Sequence, residues 1–256
     1  MRACAYCDSY NEITKEHIFS SCLIEMSEVD GARIPESDEF INPNLTIKDI
    51  CSGCNNEKIS DTDGYICDLY EEYFSKIINE REKLFFRYDF DLLSRWILKT
   101  SFNLARVSGH SETEEYLERC REYIMRVCGI RPEFNLYLLT VKKSEVSDDY
   151  LEYVNEEADE DYQPPKSVVE RGVLEPNIVA GTELNFGENR DEKELGYIVI
   201  INSYYFIVVF SSPESRVNRK MSDEPGVMDI PTGSEMRILN PPHLSYFESL
   251  KLFGML

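Results

Sequence analysis

The chain has 256 residues, 42% of them hydrophobic, and a formal net charge of −21. That length and apolar content suit one large domain or two modest ones around an ordinary globular core. No apolar run is long enough to span a bilayer, and the N-terminus lacks a charged segment followed by an apolar stretch, so no membrane partner is expected and a cytoplasmic location is. The charge is the opposite of the basic face that nucleic-acid-binding proteins present. The surplus is densest from Glu145 to Asp161, a stretch with no Lys or Arg, which reads as a solvated helix face or a linker.

In chain order, the first feature is a pair of cysteine knuckles, Cys4-Ala5-Tyr6-Cys7 and Cys51-Ser52-Gly53-Cys54. Two such pairs supply four thiolates, enough to close a tetrahedral structural Zn²⁺ site and to staple a region too small and polar to hold itself by a core. After the first knuckle, residues up to 14 lead into a short strand that delivers Glu16 and His17. Phe19 to Asp38 reads as an insertion, a loop with some helix. Leu45 to Lys48 alternates apolar and polar residues and is expected as a second strand. A helix carrying Asn55, Lys58 and Ile59 is expected from about Cys54.

Beyond it, Ile66, Leu69, Tyr73 and Ile77 recur at helical spacing between Tyr65 and Ile78. A second helix is expected from Asp89 to Val107, with Trp96 in its apolar stripe. A third is expected from about Ser111 to Cys128, with Glu early and Arg late, which complements the helix dipole. Phe134 to Val141 reads as a strand, and Tyr197–Ile201 with Tyr205–Phe210 as a hairpin around Asn202-Ser203. Ser211 to Pro231 is loop-like, Met236 to Leu239 is a short apolar element, and a last helix is expected near Tyr246–Leu252. Cys22, Cys67, Cys120 and Cys128 are scattered in apolar surroundings and read as buried free thiols. His110 and His243 read as cap, surface or turn residues. The expected fold class is α+β: a zinc-stapled unit over 1–64, a helical segment over 65–130 and a mixed α+β region over 131–256.

The N-terminal residues carry a family resemblance. Cys4, Cys7, Thr14-Lys15-Glu16-His17-Ile18, Asn44-Leu45 and Cys51-Ser52-Gly53-Cys54-Asn55-Asn56-Glu57-Lys58 resemble, in order, the pattern of HNH endonucleases with a zinc-knuckle ββα-metal fold. The resemblance covers the first quarter of the chain. It implies a metal-dependent endonuclease that hydrolyses DNA phosphodiesters, with His17 as general base and Asn44 fixing the loop between the strands. Stand-alone proteins of this kind occur in restriction and phage-defence settings. Glu16 and Asn55 would hold a catalytic divalent cation, Mg²⁺ or Mn²⁺, and Lys15 and Lys58 would contact nucleic acid. Asn42 is the alternative to Asn44, and Asn56 to Asn55. Many members carry His where this chain has Asn55, and an amide oxygen suits harder cations.

Composition leaves a rival open. The same stapled unit would serve as a non-catalytic, acidic interaction module that mimics DNA or binds a basic protein partner. A third arrangement reconciles charge and motif: a nuclease whose grip on DNA comes from a basic partner, or from a local patch of Lys15, Arg33, Lys48 and Lys58.

Overall fold

A computed structural model describes residues 3–26, 32–33, 40–41, 45–79, 83–127, 131–152, 172–174, 179–186, 194–210, 226–238, 244–245, 248–249 and 252. The chain is mixed α and β. It opens with β1 (Ile13–His17), α1 (Ser21–Met26), the two-residue strands β2 (Ala32–Arg33) and β3 (Phe40–Ile41), and β4 (Thr46–Cys51). β1 and β4 pair antiparallel, with Ile13 opposite Cys51 and His17 opposite Thr46. The register shifts by one residue between Thr14 and Glu16, a bulge of the kind that re-aims side chains at a strand end. The second strand thus begins one residue later than expected and runs on to the knuckle itself.

Cys54–Ile59 winds as a π-helix and leads directly into α2 (Ser60–Leu69), so the unit runs strand, strand, helix. A further π turn, Tyr70–Phe74, ends this helical run, short of the Ile78 that periodicity alone would include. The expected boundary at residue 64 falls inside α2. After β5 (Leu84–Arg87) comes α3 (Phe90–Ser108). Asp89 caps it by accepting from the Asp91 and Leu92 amides, and Gly109 ends it at φ 75°, a conformation glycine adopts without steric cost. The expected third helix is two pieces, α4 (Ser111–Glu118) and α5 (Arg121–Ile124), broken at Arg119–Cys120. Cys128 lies outside the described residues.

The C-terminal half is built on one six-stranded sheet, with β7 and β8 paired apart from it. β6 (Phe134–Lys142) is followed by β7 (Ser144–Glu145), α6 (Asp148–Glu152), β8 (Val173–Leu174), β9 (Val179–Phe186), β10 (Glu194–Ile201), β11 (Tyr204–Phe210), β12 (Val227–Asp229), β13 (Glu235–Ile238) and β14 (Leu244–Ser245). The order across the sheet is β12-β6-β11-β10-β9, with β14 parallel to β6. The expected hairpin is β10–β11, turned at Asn202-Ser203 with Asn202 at φ 50°. β9 was not expected. β5 and β13 pair with each other, which ties the helical segment to the C-terminal half.

One continuous core runs from Cys4 and Tyr6 through α3 to one face of the sheet at Leu138, Val199 and Phe206. The other face is buried around Leu139, Ile200 and Ile207, with Leu244 against it. Trp96 is fully buried in the first core, as its place in the apolar stripe implies. Most of the acidic stretch (153–161), much of the 19–38 insertion, His243 and most of the last expected helix lie outside the described residues. Among the described residues, no helix is long and apolar enough to cross a membrane.

Candidate metal centre and the Glu16–His17 strand end

The two knuckles meet. The sulfurs of Cys4, Cys7, Cys51 and Cys54 all lie within 4.8 Å of one another, the one such group of His, Cys, Asp and Glu donors among the described residues. Cys7 and Cys51 Sγ are 3.7 Å apart. Four thiolates at the usual Zn–S length of ~2.3 Å around a tetrahedral ion are separated by about 3.8 Å, so this donor set fits a structural metal ion such as zinc. The backbone is already shaped for it. The Cys51 amide donates to Cys4 Sγ at 3.3 Å, and the first knuckle turns through Asp8 at φ 57°. Burial pushes the Cys4 and Cys54 thiols up. Burial also acts on Cys51, but hydrogen bonds from the Cys54 backbone and from Ser9, Cys54 and Cys7 side chains outweigh it and hold that thiol down at about 6.

Cys22 and Cys67 correct the expectation of free thiols. They form a disulfide between α1 and α2. Cys120 is the buried free thiol expected, pushed up to about 12 by burial.

His17 ends β1 half-buried, and its Nδ1 is buried without a hydrogen-bond partner. The next amide, of Ile18, donates to the Leu45 carbonyl at 3.1 Å, so the strand end is held down on the far side of His17. Asn55, in the first turn after the second knuckle, reaches back to the same strand. Its Nδ2 donates to Thr14 Oγ1 at 3.1 Å and to the Lys15 carbonyl at 3.0 Å. This puts the Asn55 amide against the Lys15–Glu16 peptide. Lys15, Lys48 and Lys58 are exposed. Asn44, Asn42 and the Arg33 side chain lie outside the described residues.

Glu16 points inward. Only 6% of its side chain is accessible, and Oε1 lies 2.5 Å from Lys99 Nζ, which is fully buried. The same ammonium donates to both oxygens of Asp63 at 2.7 Å. Asp63 also accepts from Ser20 Oγ, and Ser20 Oγ accepts from Trp96 Nε1 at 2.9 Å. Burial raises the Glu16 carboxyl against the pull of Lys99. Burial alone would lower the Lys99 ammonium, but Asp63 and Glu16 more than offset it and the net shift is upward.

Lys99 belongs to a stripe. Arg95, Lys99, Asn103 and Arg106 recur along α3 at helical spacing, and each engages the unit that carries the cysteine knuckles. Arg95 donates to Asp61 at 3.0 Å and to the Lys58 carbonyl at 2.8 Å. Asn103 accepts from Tyr6 Oη, inside the first knuckle, at 2.8 Å. Arg106 pairs with Asp49. Sequence reasoning passed over these residues; the available signal was four polar side chains on one face of a helix otherwise read as apolar.

No family model, no curated protein and no solved structure matches this chain.

Proposed function

We propose that the chain is a zinc-stapled endonuclease of the HNH type, cutting DNA phosphodiesters with His17 as general base. The observation that carries this reading is the contact of Asn55 with the Lys15–Glu16 peptide. It joins the residue after the last knuckle cysteine to the strand end that bears Glu16 and His17, within a strand–strand–helix unit closed by four cysteines. A metal staple alone requires none of Glu16, His17 and Asn55.

The chemistry follows from the residues. A neutral imidazole nitrogen can take a proton from water as a general base. Nδ1 of His17 is buried without a hydrogen-bond partner, which leaves Nε2 as the nitrogen assigned to meet water. The water oxygen bonds to phosphorus, its proton passes to Nε2, and the bond from phosphorus to the 3′ oxygen breaks. The residue types are compatible with a divalent cation: a carboxylate at Glu16 and an amide oxygen at Asn55 are hard donors, and the Asn55 amide lies against the Lys15–Glu16 peptide. Glu16 and Asn55 would hold the ion, which when bound polarises the phosphate and stabilises the departing oxygen. Lys15 and Lys58 would meet the DNA backbone.

The net charge of −21 favours a second reading, an acidic non-catalytic module or a nuclease subunit that relies on a basic partner for its grip. One experiment separates them. Zinc-loaded protein is incubated with supercoiled and single-stranded DNA, with Mg²⁺, Mn²⁺ or chelator, beside His17→Ala. Cleavage that needs a divalent ion and is lost in His17→Ala supports the enzyme. Equal silence of two folded, zinc-bound proteins supports the second reading.

A further inference from the structure

A buried lysine needs a reason. Removing an ammonium from water is costly, and an apolar side chain of similar size often stabilises a core better than an ion pair does. Lys99 has apolar neighbours on α3, with Leu98 and Phe102 both in the core, so packing alone would be served by Leu or Met. Three of the stripe's side chains are cations. Arg95 reaches Asp61, whose side chain is 44% exposed, and Arg106 reaches Asp49 beside the knuckle. Only Lys99 reaches the residue next to His17.

The contacts bracket His17 on both sides. Before it in the chain, Glu16 Oε1 rests on the Lys99 ammonium. After it, Ser20 Oγ donates to Asp63, the second carboxylate on that ammonium. Trp96 Nε1 closes the circuit from α3 onto Ser20. Between these anchors, Ile18 and Phe19 are buried in the core. The four-residue span from His17 to Ser20 is thus pinned at both ends to one charge node. Outer partners of this sort fix the orientation of the carboxylates and imidazoles they touch.

We propose that Lys99 is a positioning residue of the cutting centre: its ammonium, braced by Asp63, holds the Glu16 carboxylate and so fixes the strand end that carries the adjacent His17. The proposal rests on the nuclease reading above. It assigns a role to a residue some eighty positions from Glu16 and His17, on a different element of the fold.

The test compares full-length, zinc-loaded wild type with Lys99→Met, Lys99→Arg and Asp63→Asn. Mn²⁺ affinity is read from the electron paramagnetic resonance of the free ion, and kcat and KM from plasmid cleavage. Zinc content and thermal melting check integrity. Lys99→Met should retain zinc, bind Mn²⁺ about 10- to 100-fold more weakly and lose kcat by a similar factor. Its KM for DNA should stay within about twofold, because the lost interaction orients and does not bind substrate. Lys99→Arg should recover part of both losses. Asp63→Asn should move Mn²⁺ affinity in the same direction by less, and it serves in place of Lys99→Met if that variant does not fold. Unchanged Mn²⁺ affinity and kcat in a folded Lys99→Met, or unchanged affinity in Asp63→Asn where that variant serves, overturns the proposal and leaves the nuclease reading standing. A wild type that binds Mn²⁺ but never cuts overturns the nuclease reading and with it the cutting-centre role, while loss of Mn²⁺ affinity in Lys99→Met would still show that Lys99 orders Glu16. A wild type that neither binds Mn²⁺ nor cuts overturns both.

Discussion

Arg106 grips Asp49 through two parallel bonds, Nε to Oδ2 at 3.1 Å and Nη2 to Oδ1 at 3.2 Å, with both side chains inside the protein. Asp49 sits two residues before the second knuckle, and its carbonyl accepts from the Ala5 amide in the first. Arg106 also lies over the rings of Phe102 and Tyr6. One guanidinium therefore joins α3 to both halves of the cysteine cluster.

Arg106→Ala removes the guanidinium from a buried carboxylate, and breaking a buried pair this way costs about 3–5 kcal/mol. Urea unfolding should show that loss. The double variant Arg106→Met with Asp49→Leu should recover most of it, since no stranded charge remains. A single variant within about 0.5 kcal/mol of wild type would mean the pair contributes nothing.

The cysteine cluster makes a stoichiometric prediction: one zinc per chain by mass spectrometry of the metal, lost in Cys54→Ser and retained in Cys120→Ser. Zinc binding should release protons at neutral pH, because the Cys4 and Cys54 thiols are pushed above their usual range before the ion arrives and must ionise to ligate it. Zinc retention therefore falls as pH falls. Binding with no proton release, followed with an indicator dye in weak buffer, would contradict the assignment.

The Cys22–Cys67 disulfide closes a span of 45 residues. Loop closure of that length constrains the unfolded chain by about 4 kcal/mol in the chain-entropy treatment. A phosphine reductant should lower the urea midpoint without releasing zinc, and Cys22→Ala with Cys67→Ala should be insensitive to it. Denatured, unreduced protein should show two fewer reactive thiols than reduced protein. Equal thiol counts would rule the bond out.

What could be read in the sequence was what local chemistry dictates. The CxxC spacings, the strand delivering Glu16 and His17, the helix capped by Asp89 and the hairpin turned at Asn202 each rest on neighbours a few residues apart. What could not be read depends on partners far along the chain. β9 carries Gly181 within Val179–Phe186 and makes sense only against β10. β5 and β13 are short and find each other across more than a hundred residues. The disulfide required α1 to lie on α2. The polar stripe of α3 looked like ordinary interruptions of an apolar helix until Asp61, Glu16, Asp63 and Asp49 stood opposite it. The net charge was legible from the start, but its consequence is local: the acids that matter here are paired with Arg and Lys of α3.

Gly181 permits α3 to approach the sheet. A Cβ built there would meet Leu104 Cδ1 at 2.6 Å and the Ile198 carbonyl at 2.9 Å. Leu104 can yield in part, but the backbone oxygen cannot without disturbing the β9–β10 ladder. Gly181→Ala should therefore cost about 1–3 kcal/mol by overpacking. Leu104→Ala in the same chain should relieve only the first clash, so the two changes should not simply add. A stable Gly181→Ala would show that β9 can shift away from α3.

The last prediction concerns alkaline pH. Burial pushes Tyr6, Tyr65, Tyr88 and Tyr123 up to about 12, against about 10 for an unfolded tyrosine. The folded chain thus holds these phenolic protons more tightly than the unfolded chain does. Their contribution to stability is fully present below about pH 10. It is lost as pH rises toward about 12, because the unfolded state gives up its protons first. Urea midpoints should fall over that window, and tyrosinate absorbance should show a delayed class that appears together with unfolding. Tyr6→Phe should flatten the slope, although it also removes the bond to Asn103 and so lowers the midpoint at neutral pH. If all sixteen tyrosines titrate as one class near the ordinary value while the chain stays folded, the Tyr6 phenol is not sealed between the knuckle and α3. The knuckle would then be docked more loosely than its contacts with Asn103 and Arg106 require.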